Sequence, residues 1–312
     1  MTNDQLPLVT VITPAYNQGI FLRDTIESVL SQDYPNIEFI VLNDGSTDET
    51  ESILQEYTGR VKWETQKNMG QTATINKGWR MTKGEIITWL NSDDTFLPGC
   101  VRIGVEYLLA HPEVGIVFGD TLLTEADGTP IGKSPPQPPY DYMRFLINCN
   151  NTVSQPSTFI RREVLDKVGE LDPSFYYFMD WDFWMRAGLH FKMEHITDVM
   201  STYRLHAESK TVAQALKAAP ELKYMYDKFF SRTDLPPAVV ASKKKAMMNM
   251  YFVSAGYYLK GGDKKKASEM ANKALSYNPS GIFSFRNIRS YLYCKYSNSP
   301  LYEQLRKLAG KK

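Results

Sequence analysis

The first ninety residues alternate short apolar runs with segments of helical spacing, and three of the four runs stop at a polar loop. Leu8-Val9-Thr10-Val11-Ile12-Thr13, Ile37-Glu38-Phe39-Ile40-Val41-Leu42, Val61-Lys62-Trp63 and Ile86-Ile87-Thr88-Trp89-Leu90 read as strands, because they are short, β-branched or aromatic, and bounded by turn residues. Between them, Phe21 to Gln32 puts Leu22, Ile26, Val29 and Leu30 on one helical face, and Glu51 to Tyr57 and Gln71 to Met81 are further helices. Strands separated by helices need crossover connections, which give a largely parallel sheet covered by helices. The polar loops are Pro14 with Tyr16-Asn17-Gln18-Gly19, Asn43-Asp44-Gly45-Ser46-Thr47-Asp48, and Asn91-Ser92-Asp93-Asp94. Ligands gather at the carboxyl ends of strands in such sheets. Three such loops on one edge make a site, whereas one would be a turn. The adjacent carboxylates Asp93 and Asp94 repel unless a cation sits with them, and a divalent metal carrying a phosphate meets that need. For this dipeptide alone, a solvated turn with an Asp helix cap is the competing reading.

Downstream, Val101 to Ala110 is a helix and Val114 to Phe118 a strand. Thr129 to Tyr140, with five prolines, reads as a loop. Gln155 to Ile160 re-enters the sheet, Glu163 to Gly169 is a short helix, and Phe178 to Gly188 is a helix with Asp180 and Asp182 in its first turn. Thr202 to His206 closes the region. Charge then divides the chain: residues 1–212 hold 29 acidic and 17 basic residues, residues 213–312 hold 6 and 19. That asymmetry predicts two modules: an α/β domain over 1–212 and an all-α module over 213–312. Within the second, residues 246–279 have the length and the Ala, Tyr, Gly and Pro pattern of one tetratricopeptide-type hairpin. No apolar run approaches the ~20 residues of a membrane span, and Met1 to Pro7 has no signal-peptide pattern. Cys100, Cys149 and Cys294 lie far apart, as free thiols in a reducing cytoplasm do. A cytoplasmic protein is expected, with no nucleic-acid partner.

Six segments in order resemble the family 2 glycosyltransferases of GT-A fold. They are Val9 to Asn17, Val41 to Asp48, Asn68-Met69-Gly70 with Asn76-Lys77-Gly78, Leu90 to Asp94, Phe178 to Arg186, and Tyr203-Arg204-Leu205-His206. The resemblance covers roughly residues 7–210. It implies an inverting transfer from a nucleotide-sugar donor, with uridine or thymidine diphosphate sugars favoured, and the lack of a membrane span and of a Gln-x-x-Arg-Trp signature argues for a non-processive one. The acceptor it implies is a hydroxyl of a glycan or lipid-linked molecule, in cell-envelope polysaccharide synthesis. It implies Asp44 as the acceptor of the pyrimidine N3–H, with Pro14 and Tyr16 lining the base pocket. It places Asp93 near ribose or phosphate, Asp94 and His206 as metal ligands, and Asp180 as catalytic base. Two positions depart from the pattern. Asn91 stands where the motif usually has an acid, and Met179 stands where an acid usually precedes the base.

Elementary chemistry supports the same assignment. An inverting displacement needs a base on the acceptor side and charge stabilisation on the diphosphate side. Mg2+ or Mn2+ on oxygen ligands suits the latter, and an imidazole ligand favours Mn2+. Asp180 near a helix N-terminus is expected to stay ionised, with a plain helix cap as its bland alternative; for His206 that alternative is a core-edge histidine. Trp181 and Tyr177 are acceptor-side candidates, because aromatic faces pack on sugars, although core packing explains Trp184 better. Asn68 and Gly70, with Asn76 and Gly78, either shape the donor pocket or punctuate loop and helix. Ser46 and Thr47 are expected to cap the following helix. The basic, Tyr-rich rear suggests a solvated face, a partner site or contact with an anionic membrane through Lys243-Lys244-Lys245. Two other functions compete: a nucleotidyltransferase, disfavoured because the first loop lacks a basic residue, and a catalytically silent binding protein, disfavoured because Asp44, Asp93, Asp94 and Asp180 are all present.

Overall fold

The computed structural model describes residues 6–133, 139–206 and 215–279. The chain divides into two compact units, Met1–Tyr140 with Thr152–His206, and Asp141–Asn151 with Ala207–Lys312. The first unit is the α/β domain. Its elements run β1 (Val9–Ala15), α1 (Gly19–Leu30), β2 (Ile37–Asn43), α2 (Thr50–Glu56), β3 (Lys62–Thr65), α3 (Gln71–Met81), β4 (Ile86–Trp89), α4 (Cys100–Ala110), β5 (Val114–Thr124) and β6 (Pro130–Lys133). After the excursion into the second unit come β7 (Thr158–Arg161), α6 (Arg162–Val168), α7 (Met179–Ala187) and β8 (Lys192–Arg204). The helical α5 (Tyr142–Asn148) belongs to the second unit.

One sheet carries all eight strands in the order β3-β2-β1-β4-β7-β5-β6, with β8 beside β5. β1 is parallel to β2 and to β4, and β2 to β3, while β7 runs antiparallel to both β4 and β5. The sheet is therefore mixed, with its parallel part built from the alternation seen in the sequence. One face buries Val9, Val11, Val41, Ile86 and Leu90 against Leu22, Ile26 and Val29 of α1 and Val101, Val105 and Leu108 of α4. Another cluster is aromatic: Trp89 of β4 stacks on Trp184 of α7 with centroids 5.6 Å apart, and Trp79 of α3 meets Phe183 at 5.5 Å. Trp184 is fully buried, so its spacing reflects core packing. Gly78 is a packing glycine, since a Cβ there would lie 2.7 Å from Ile12 Cγ2.

Two local readings need correction, and one strand was not foreseen. Pro14 does not end β1, which continues to Ala15 with Pro14 opposite Leu42. Its missing N–H faces the β4 side, where pairing has already stopped at Ile12–Trp89, so no ladder bond is lost. The proline-rich stretch from Thr129 is not all loop, because Pro130–Lys133 forms an exposed edge strand on β5. Here proline takes the first strand position, where it is tolerated. Finally, β8 starts ten residues before Thr202. Its register against β5 shifts at three places, and such bulges erase the period-two pattern that would have announced a strand.

The second unit holds α5, α8 (Ala215–Phe230), α9 (Pro237–Lys260) and α10 (Lys264–Tyr277). α5 begins at an Asp141 cap that accepts from Arg144 N at 2.6 Å. Its terminal carbonyls are taken by partners far along the chain: Tyr226 Oη donates to Leu146 O and Asn249 Nδ2 to Ile147 O, both at 2.8 Å. Those bonds explain why residues 141–151 cluster with a module that the charge pattern starts only at 213. α9 and α10 form a hairpin around Gly262, at φ 84°. Ala267, Ala271 and Ala274 are buried at helical spacing on α10, and small side chains there let the two helices approach closely. Cys100 and Cys149 are buried and in no disulfide, and Cys294 lies outside the described residues.

Candidate active site at the carboxyl ends of the strands

Asp44 follows β2 and is 2% exposed. Its Oδ1 accepts from Gln66 Nε2 and from the Met69 N–H, and its Oδ2 from the Gly70 N–H, each at 2.9 Å. A carboxylate offers about four acceptor positions, and these bonds fill three of them. The approach depends on Gly45, which has φ 76° and where a Cβ would lie 2.8 Å from the Asn68 backbone nitrogen. Asn68 and Gly70 therefore belong to the loop that grips Asp44. Tyr16, beyond β1, is 49% exposed, whereas Pro14 is buried.

The loops after β1 and β2 are sewn together. Asn17, at φ 50°, donates its N–H to Ser46 Oγ and accepts from the Thr47 N–H through Oδ1, at 3.0 and 2.8 Å. Asp48 accepts from the Gly19 N–H at 2.8 Å, capping α1, and from the Thr50 N–H at 3.1 Å. The expectation that Ser46 and Thr47 cap the next helix is thus corrected. Asp48 does the capping, and Ser46 and Thr47 bind Asn17.

β4 delivers the acidic pair. Asp93 Oδ2 lies 3.0 Å from both Gln18 Nε2 and His206 Nε2. Asp94 is buried. Its Oδ1 accepts from the Arg204 N–H at 3.1 Å, its Oδ2 from Asn91 Nδ2 at 3.2 Å, and its carbonyl from Thr25 Oγ1 at 2.8 Å. Arg204 spans the loop, donating Nε to Asp93 O at 3.0 Å and Nη2 to Asp24 Oδ2 at 2.9 Å, with Phe21 4.7 Å beneath it. Burial, and then the Asp93 charge, push the Asp94 carboxyl well above the usual carboxylate range. His206 has its Nε2 on Asp93. Among the described residues no three His, Cys, Asp or Glu side chains form a metal cage. The buried Asp94 carboxylate is the group that could take an ion completing its shell with phosphate and water, as Mg2+ and Mn2+ do.

Asp180 lies in the first turn of α7 and is half-buried. Asp182, two residues on, is structural: it pairs with Arg186 at 2.8 Å, and Arg186 also donates to the carbonyls of Val168 and Glu170. The segment leading into α7 is fixed by α3, since Asn76 exchanges both amide bonds with Leu171 and Thr72 Oγ1 donates to Phe175 O at 3.1 Å. Asn76 therefore clamps a segment 95 residues away. Trp181 is largely buried and stacks on Phe178 at 5.1 Å, while Tyr177 is half-buried and meets the exposed Tyr176 edge-on at 4.8 Å. Sequence reasoning missed Gln18, Gln71, Gln155 and Arg204. Arg204 sat inside a quoted motif, but nothing local distinguishes the three glutamines from surface polar residues.

This mixed sheet, with a buried acid after β2, an acidic pair after β4 and an acid opening α7, is that of a GT-A glycosyltransferase. Residues 10–169 match the glycosyl transferase family 2 domain, and the chain belongs to that family. An uncharacterized glycosyltransferase of Rickettsia prowazekii (strain Madrid E) is 29% identical over 236 residues, 72% of each chain. Staphylococcus aureus TarS 1-349, solved in complex with UDP-GlcNAc, superposes with TM-score 0.69 at 16% identity, over 95% of this chain and 92% of that one. The mannosyltransferase PcManGT from Pyrobaculum calidifontis, solved with GDP-Man and Mn2+, superposes with TM-score 0.60 at 16% identity, over 99% of this chain and 89% of that one.

The raised Asp94 carboxyl has a stability consequence. A carboxyl whose folded pKa lies above its unfolded value, 3.8, binds protons more tightly when folded. Without metal, the folded state therefore loses stability as pH rises from about 4 through the raised pKa. Asp94→Asn removes that loss. Thermal unfolding in chelator should show the variant gaining on wild type from pH 4 to pH 8. Parallel curves would contradict the burial account.

Proposed function

We propose that the protein is an inverting, metal-dependent, non-processive transferase that moves a sugar from a nucleoside diphosphate sugar to an acceptor hydroxyl. The observation that carries it is the acidic pair Asp93–Asp94, one member buried and both held by hydrogen bonds, in a loop shared with His206 and Arg204. The remaining acceptor position on Asp44 suits the N3–H of uracil or thymine, with the exposed Tyr16 ring beside the same strand ends for stacking. Asp94, with His206 and Asp93 in support, would hold a divalent cation, which supplies positive charge to the leaving diphosphate.

Asp180 is assigned as the base. Its carboxylate takes the proton of the acceptor hydroxyl while that oxygen bonds to the anomeric carbon. The bond from this carbon to the diphosphate oxygen breaks, and the nucleoside diphosphate leaves with the electron pair. One displacement inverts the anomeric configuration. Tyr177 and Trp181 flank the base on α7 and its lead-in segment, and we assign them to the acceptor side. The acceptor is read as a glycan or lipid-linked hydroxyl, in cell-envelope polysaccharide synthesis. The reading of the first unit as the transferase domain and of the second, which takes in residues 141–151, as a helical module with a repeat-like hairpin belongs to the same proposal.

No helix among the described residues is long and apolar enough to cross a membrane. We propose peripheral contact from the cytoplasmic side, supported by the exposed Lys243, Lys244 and Lys245 on α9 with the 53% exposed Val240 one turn away. Each lysine near an anionic surface contributes about 1 kcal/mol. Full-length protein should bind phosphatidylserine vesicles in low salt and release in high salt, and Lys244→Glu with Lys245→Glu should weaken binding at least about tenfold. Equal binding by wild type and variant would remove this part.

The transfer itself is tested by nucleoside diphosphate release from UDP-, dTDP- and GDP-sugars, with Mn2+, Mg2+ or chelator. One uridine or thymidine donor should be turned over, only with metal. Asp180→Asn should lower kcat by about 10²–10⁴ with donor KM little changed. Full activity in chelator, or in Asp180→Asn, would contradict the mechanism.

A further inference from the structure

Asn91, where the family motif usually has an acid, is the centre of a chain of carboxamides. Its Oδ1 accepts from Gln71 Nε2 at 2.8 Å. Its Nδ2 lies 3.1 Å from Gln155 Oε1 and 3.2 Å from Asp94 Oδ2. Gln155 in turn donates its Nε2 to the carbonyl of Trp89 at 2.7 Å.

We propose that Gln71 and Gln155 are positioning residues that fix the polarity of the Asn91 amide, so that its NH2 always faces Asp94. The argument starts at Trp89, whose carbonyl can only accept. Gln155 must therefore turn its NH2 to Trp89 and its oxygen to Asn91. Asn91 must answer with its own NH2, which has two hydrogens and two acceptors in reach, Gln155 Oε1 and Asp94 Oδ2. The Asn91 oxygen is left for Gln71, which meets it with a donor. Reversing Gln155 sets like against like at Trp89 O and at Asn91, reversing Asn91 does so at all three of its contacts, and reversing Gln71 does so at Asn91. With the Arg204 N–H on Oδ1, this fixes Asp94 from both sides. An aspartate at 91 would bring only acceptors to Gln155 Oε1 and Asp94 Oδ2, so Asn91 and the two glutamines form a matched set. The consequence concerns the metal-bearing diphosphate end alone and rests on the reading of Asp94 given above.

The test is titration calorimetry of the full chain with UDP, with Mn2+ and with chelator, alongside thermal unfolding. Gln155→Met removes both bonds without adding charge. Gln71→Glu presents an acceptor to Asn91 Oδ1, and an acid in the first turn of α3 favours the helix, so the fold is retained. Each variant should weaken UDP binding in Mn2+ at least about tenfold and leave metal-free UDP binding within about twofold of wild type. Combining Gln155→Met with Asn91→Asp should cost less than the two losses added, because both break one chain. Unchanged or tighter binding in Mn2+, equal losses with and without metal, or strict additivity would overturn the positioning role while wild-type binding stands. Failure of wild type to bind UDP in Mn2+ would instead remove the donor reading and the positioning role with it.

Discussion

The candidate site depends on three consecutive residues at the start of α3. The Gly70 N–H binds Asp44, the Gln71 side chain binds Asn91, and the Thr72 hydroxyl binds the Phe175 carbonyl. One helix end thus joins the loop after β2, the loop after β4 and the lead into α7. Each is a short polar bond of modest net worth, about 1 kcal/mol. Their value lies in geometry, since they converge on one rigid element whose far side is locked by Gly78 against Ile12 and Asn76 against Leu171. Sites set on helix and strand ends hold their groups more closely than sites on free loops.

The acidic pair is the costly part of this arrangement. Burying a carboxylate beside another is unfavourable, and the structure offsets the cost with a backbone N–H, an amide and the Arg204 guanidinium around the loop. Two carboxylates so close favour an incoming cation, and that is the physical basis of the proposed metal-bound diphosphate. Arg204 and His206 arrive together at the end of β8, so the longest strand described here serves to bring a cationic and an imidazole group to the far side of the same loop.

Much of this was legible in the sequence. The alternation of strands and helices, the polar strand ends at Asp44 and Asp93–Asp94, and helix α3 over Gln71–Met81 followed from periodicity, which is local. What escaped was set by distance along the chain. The partners of α5 are Tyr226 and Asn249, 80 and 102 residues from the carbonyls they bind, so nothing near Tyr142 marks it as part of the second unit. Gln155 reaches Asn91 across 64 residues, and a lone glutamine carries no pattern. Pro14 and Pro130 misled because a proline reads as a break, and only the pairing shows that no ladder bond is needed where it sits.

The most direct test of this account is amide hydrogen exchange in the ligand-free protein, wild type beside Asp44→Asn. If the start of α3 organises the site before any donor arrives, Met69 and Gly70 are protected in wild type without nucleotide. In the variant that protection is lost, and exchange also rises across Leu171 to Phe178, the segment held through Thr72 and Asn76. Unprotected Met69 and Gly70 in the free wild-type protein, or a variant in which only those two amides change, would contradict it.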